Sequence, residues 1–142
     1  MHQLAISLHL SGHDVTGSDD EIFDPALSNL RRFGLIGEKF TWDSSNISSK
    51  IDIIILGMHA KADNPELLKA QELGIKCVSF PEFIYEHSKN KRRVVIGGSH
   101  GKTTITSMIM HVLKDSGKHF DYLVGSRIRG FDVMVSLTQD AD

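Results

Sequence analysis

IDIIILGMHAKADNPELLKAQELGIKCVSF, residues 51–80, reads as strand, helix, strand. The run Ile53 to Leu56 is β-branched and unbroken, which predicts burial on both faces and a parallel sheet. Pro65 at the first helical position and Gly74 just past the last one bracket a helix over 64–74. KCVSF (76–80) is the returning strand, and PEFIYEHS (81–88) starts a further helix on its proline. A strand, a crossover helix and a second strand in 30 residues is the βαβ unit.

Outward from this unit the alternation continues. Residues 2–11 read as a helix stopped by Gly12, DVTGSD (14–19) as a short strand ending in acidic residues, and 25–33 as a helix ended by Gly34. RRVVIGG (92–98) reads as a strand running into glycine. Residues 102–114 read as a helix with Ile105, Met108, Ile109, Val112 and Leu113 on its buried face. YLVG and DVMVSL give two last strands. The expected fold class is α/β: a Rossmann-like parallel sheet domain over 1–90, with helices on both faces, then the start of a P-loop α/β domain over 91–142. KNKRR (89–93) marks the boundary and reads as a solvated linker.

Composition narrows the function classes. The 142 residues carry 16 Lys and Arg against 18 Asp and Glu, a formal charge of −2, so no basic face for nucleic acid or anionic membrane is expected. The single cysteine, Cys77, can form no internal disulfide and has no partner for zinc, which suits a reducing compartment. No apolar run is long enough to span a bilayer, and residues 4–10 lack the flanks of a signal peptide; a cytoplasmic protein is expected.

GGSHGKTT (97–104) lies between a β-branched run and an amphipathic helix. Glycines let the backbone wrap phosphates, the free N–H groups of a helix start point at them, and the helix dipole favours their charge. Gly98, Ser99, His100, Gly101, Lys102, Thr103 and Thr104 are the candidate nucleotide-binding residues. Lys102 would reach the β- and γ-phosphates and the Thr103 hydroxyl would bind Mg²⁺. The loop is shorter than GxxxxGK[ST], because Ile96 stands five positions before Gly101. His100 is open to three roles: nucleotide contact, which we favour, proton carrier or spacer.

Ser18 and Asp19 end the expected second strand of a mononucleotide fold, where an acidic residue bonds a ribose hydroxyl. Such a residue follows the glycine-rich turn by about 20 positions, which puts that turn before Met1. Asp19 also fits a helix cap. His59 and Asn64, in the loop after the first strand of the βαβ unit, are further candidate contacts, and Asn64 fits equally a helix N-cap. The other histidines, including His2, His9 and His111, read as surface or packing residues.

SLHLSGHDVTGSD, ADNPELLKAQELGI, PEFI, VVIGGSHGKTTITSMI and VGSRIRGFDVMVSL, in this order and spacing, resemble the Mur ligases, the ATP-dependent amide ligases that build the peptidoglycan peptide on UDP-N-acetylmuramate. The likeness is greatest to the branch that uses a free lactyl carboxylate. Within it, GMHAKADNP and GFDVMVSL look more like the ligase that attaches the tripeptide L-alanyl-γ-D-glutamyl-meso-diaminopimelate than the one that attaches L-alanine. The resemblance implies a UDP-binding domain over 1–90, with Ser18 and Asp19 on the uridine side, and the beginning of an ATPase domain from 91. It implies ATP and Mg²⁺ at 98–104, with Lys102 stabilising the transferred phosphoryl charge, and an amino acid or tripeptide amine as the partner of UDP-N-acetylmuramate. Ser99 replaces the family's usual Thr, and Ile105 its third Thr. The family's opening glycine loop, Mg²⁺-binding glutamate and amine-binding domain fall outside these residues, so the 142 residues alone are expected not to turn over. A non-catalytic nucleotide- or UDP-sugar-binding module is the alternative from another class. A small P-loop kinase is disfavoured by the ~90 residues before the loop, and a dehydrogenase by the lack of GxGxxG.

Overall fold

The computed structural model describes residues 1–37, 40–138 and 140–141. The chain divides into two compact units, Met1 with Thr16–Lys89 and His2–Val15 with Asn90–Asp142.

In the first unit, β1 (Ile53–Leu56) and β2 (Lys76–Ser79) pair in parallel, Ile53 opposite Lys76 and Leu56 opposite Ser79. The crossover is α3 (Pro65–Glu72), and its ends follow from local chemistry. Asn64 Oδ1 accepts from the N–H groups of Glu66 (2.9 Å) and Leu67 (3.2 Å), satisfying two of the helix's orphan donors. At the other end Gly74, with φ +68°, lets Ile75 N–H reach the Ala70 carbonyl (2.9 Å) and its own N–H reach that of Gln71 (3.1 Å). That is a Schellman closure, which favours glycine because a Cβ is strained at positive φ. Ala70 and Val78 are buried where α3 meets the sheet. α4 (Phe80–Ser88) opens on a reciprocal capping box between Ser79 and Glu82. α2 (Ala26–Arg32) buries Leu30, and a 3₁₀ turn spans Ser44–Asn46.

The second unit joins α1 (His2–Leu10) and α5 (Lys102–Asp115) to a short antiparallel ribbon, β3 (Tyr122–Leu123) with β4 (Val135–Ser136). α1 lies against β4 with Leu4 and Ile6 fully buried. Gln3 and Ser7 of α1, with Ser11 just past its end, stand four residues apart and meet the backbone beside it. Gln3 Oε1 accepts from Met134 N–H (3.1 Å), buried Ser7 Oγ accepts from Leu137 N–H (2.9 Å), and Ser11 Oγ donates to the Leu137 carbonyl (2.5 Å). Side chains thus do for an edge what a neighbouring strand would.

The structure corrects four expectations. Residues 14–19 and 92–98 do not form strands: β character needs a hydrogen-bonded neighbour, none pairs with them among the described residues, and Val94 and Val95 stand exposed. β1 is half-buried rather than covered on both faces, because its sheet has two strands. α5 buries Met110 and leaves Ile105, Met108 and Val112 exposed, so periodicity found its apolar residues but not which of them is covered. KNKRR is not wholly solvated: Lys91 Nζ meets Asp121 Oδ2 at 2.7 Å, and each side chain is about one-sixth exposed (16% and 15%).

Candidate functional site

Two groups of candidate residues fall in different units. In the first, the loops around the start of α3 gather at one carboxylate. Glu66 occupies the second position of α3, where the helix dipole favours an acid. Its Oε1 accepts from Ser18 Oγ (2.7 Å), Asn46 Nδ2 (2.8 Å) and the backbone N–H of Asp43 (3.1 Å). Asp43 in turn caps the 3₁₀ turn by accepting from Ser45 N–H (2.8 Å). Asp19 N–H donates to the Phe40 carbonyl (2.8 Å), so the turn carrying Ser18 and Asp19 is held by a side chain at one residue and by the backbone at the next.

Asp19 is exposed, and its Oδ1 accepts from Asp20 N–H (3.0 Å). Loss of water around its carboxyl, and then the facing Asp20 carboxyl, raise its pKa; the Asp20 N–H and nearby His59 act the other way. Asp20 is held below the ordinary range, first by the hydrogen bond between the two side chains, so the two titrate as a pair. His59 lies exposed in the loop between β1 and α3. The structure therefore brings Ser18, Asp19, His59 and Asn64 into one neighbourhood with different occupations. Ser18 has committed its proton to Glu66, and Asn64 Oδ1 is committed to the helix cap. Glu66, Asn46 and Asp43 were not singled out from the sequence. Only Glu66 had a signal there, an acid in a helix's first turn; its link to Ser18 spans 48 positions.

In the second unit, Gly98 (φ +146°) and Gly101 (φ +76°) take conformations that favour glycine, and Gly101 is the N-cap of α5 with no side chain bonded to the helix end. The first intrahelical bond runs from Ile105 N–H to the Gly101 carbonyl (2.9 Å). The amides of Lys102, Thr103 and Thr104 precede it and form the donor array of an uncapped helix start. Lys102 Nζ folds over the loop onto the carbonyls of Gly98 (2.6 Å) and Ser99 (3.3 Å), putting its charge among the same residues. Gly98, Ser99, His100, Gly101, Thr103 and Thr104 are all exposed. A glycine-rich loop, an uncapped helix start and one adjacent ammonium fit an oligophosphate.

A parallel pair of strands joined by a crossover helix places the molecule among the α/β proteins. The comparisons narrow this. Residues 1–92 match the Mur ligase family, catalytic domain, and the chain belongs to that family. It is 33% identical over 131 residues to the UDP-N-acetylmuramate–L-alanine ligase of Sulfurihydrogenibium sp., covering 92% of this chain and 28% of that protein. It is 35% identical over 128 residues to the same-named ligase of Limosilactobacillus reuteri, covering 90% and 29%. Among solved structures, the UDP-N-acetylmuramate:L-alanyl-γ-D-glutamyl-meso-diaminopimelate ligase of Neisseria meningitides superposes with a TM-score of 0.77 at 27% identity, covering 96% of this chain and 43% of the other. The UDP-N-acetylmuramate–alanine ligase of Thermotoga maritima gives 0.73 at 25%, covering 96% and 32%. The chain thus spans less than a third of the length of these curated relatives. Among the described residues no helix is long and apolar enough to cross a membrane.

Proposed function

We propose that these residues belong to an ATP-dependent amide ligase that joins an amine to the lactyl carboxylate of UDP-N-acetylmuramate. The carrying observation is the uncapped start of α5 behind GSHGKTT, with Lys102 folded over the loop, in a chain of the Mur ligase family. Residues 1–90 take the UDP side, with the Asp19 carboxylate as the acceptor for ribose hydroxyls. Residues 91–142 begin the ATP side. There the amides of Lys102, Thr103 and Thr104 hold phosphate oxygens, Lys102 neutralises charge on the transferred group, and the Thr103 hydroxyl binds Mg²⁺. ATP supplies the phosphoryl group that turns the carboxylate into an acyl phosphate; the amine displaces phosphate from it, leaving an amide, ADP and phosphate.

For the amine we favour the tripeptide L-alanyl-γ-D-glutamyl-meso-diaminopimelate, supported by the likeness to the Neisseria enzyme. L-alanine is the second reading, favoured by the names of the curated relatives. A thermal-shift series on the intact polypeptide with UDP-N-acetylmuramate, ATP–Mg²⁺ and NAD tests the assignment. Stabilisation by the first two supports it, and stabilisation by NAD alone rejects it.

A further inference from the structure

We propose that Glu66 is the positioning residue of the uridine-side turn: one carboxylate oxygen, fixed at the start of α3, sets the place of Ser18 and thereby of Asp19. This rests on the uridine-side reading above and names the residue that organises that site.

The geometry carries it. Glu66 Oε1 receives three donors from chain segments 48, 23 and 20 positions away, namely the Ser18 hydroxyl, the Asp43 amide and the Asn46 carboxamide. Apart from the 3₁₀ turn Ser44–Asn46, these segments lie outside regular structure, so no helix or strand fixes their course. Asn46 Nδ2 also approaches Ser18 Oγ and the Thr41 carbonyl, both at 3.4 Å, closing the knot from the other side. The backbone of Glu66 is anchored at the helix start, since its own N–H is one of the two captured by Asn64. A carboxylate is suited to this place because it has no proton to donate and can accept several bonds at once.

The bond directions divide the labour within the turn. Ser18 gives its proton to Glu66 and so presents no donor to a ligand while the knot is closed. Asp19, one residue on, accepts the Asp20 amide at Oδ1 and meets the Asp20 carboxyl side chain to side chain. It keeps acceptor capacity for hydroxyl groups. Ser18 is therefore scaffold, Asp19 contact, and Glu66 the residue that holds the two in register.

The test uses the intact polypeptide with Glu66→Ala and Glu66→Gln. Glutamine keeps a neutral acceptor oxygen of the same reach, whereas alanine removes it. Calorimetry with UDP-N-acetylmuramate should show Glu66→Ala weaker by about tenfold, one lost charge-assisted bond's worth, and Glu66→Gln within about threefold. ATP–Mg²⁺ affinity should stay within about twofold for both, since the phosphate loop lies in the other unit. A general loss of structure would lower both affinities together. Hydrogen exchange reads the knot without any ligand: peptides covering 16–21 and 41–47 should exchange faster in Glu66→Ala and near the wild-type rate in Glu66→Gln. Unchanged exchange in those peptides, or unchanged UDP-N-acetylmuramate affinity in Glu66→Ala beside a wild type that binds, overturns the positioning role. Faster exchange with a wild type that binds no UDP-N-acetylmuramate upholds Glu66's hold on the turn and overturns the uridine assignment.

Discussion

Asp121→Ala removes the carboxylate at the centre of a hydrogen-bonded cluster in the second unit. The Asp121 carboxylate accepts from Lys91 Nζ (2.7 Å), Thr138 N–H (2.7 Å) and Thr138 Oγ1 (2.8 Å), while Lys91 Nζ also donates to the Thr138 carbonyl (2.7 Å). The clamp ties the chain ahead of α5 to the end of the ribbon where β3 begins and β4 finishes. Alanine leaves the Lys91 ammonium with one carbonyl and strips the Thr138 amide and hydroxyl of their acceptor. Breaking a buried pair from one side costs about 3–5 kcal/mol. With each side chain still about one-sixth exposed, water recovers part of this, and about 3 kcal/mol is expected. Lys91→Met should cost less, about 1–2 kcal/mol, because the Asp121 carboxylate keeps both Thr138 donors. Urea unfolding followed by circular dichroism, at equal slope, measures both. Equal losses for the two variants, or less than about 1 kcal/mol for Asp121→Ala, would refute an acceptor-centred clamp.

Asn64→Ala should cost about 1 kcal/mol as a lost N-cap and lower the melting temperature of these 142 residues by about 3 °C, with Asn64→Asp near wild type. A large loss of UDP-N-acetylmuramate affinity at an unchanged melting temperature would make Asn64 a ligand contact instead. Lys102→Ala removes a charge-assisted bond of about 1.5–3 kcal/mol and should weaken ATP about 10–100-fold by calorimetry; unchanged affinity would take the loop out of the site. Because the pKa of Asp19 is raised, its proton binds as pH falls while an ordinary aspartate, near 3.9, is still charged. UDP-N-acetylmuramate affinity should therefore begin to fall on acidification above the usual aspartate range, and Asp19→Asn should flatten that dependence. The same sign means Asp19 contributes stability below its unfolded pKa and loses it as pH rises through the folded one. Asp19→Asn should then be no less stable than wild type at neutral pH, and a destabilised Asp19→Asn would contradict the shift.

Local punctuation made much of the fold legible. Pro65 and Gly74 bound α3, Pro81 stands in the first turn of α4, and the glycine-rich run ends where α5 begins, all signals within four residues of the element they bound. What depends on a distant partner was not legible. Val94 and Val95 have the composition of a strand but no neighbour to pair with among the described residues. Lys91 sits in a charge run that reads as solvated, and only folding brings Asp121 to it, 30 positions on. In the candidate sites the glycine-rich start of α5 was readable because its residues are consecutive. The Glu66 knot was not, since hydrogen bonds across 20 to 48 positions leave no periodicity or spacing to count.

The most direct test of the ligase assignment is phosphate release from ATP–Mg²⁺ by the intact polypeptide, with UDP-N-acetylmuramate and the candidate amines added singly and together. The account predicts release only when UDP-N-acetylmuramate and an amine are both present, the tripeptide ahead of L-alanine, with an amide product of matching mass. Release that is indifferent to UDP-N-acetylmuramate, or binding of both nucleotides with no amide formed, would contradict it.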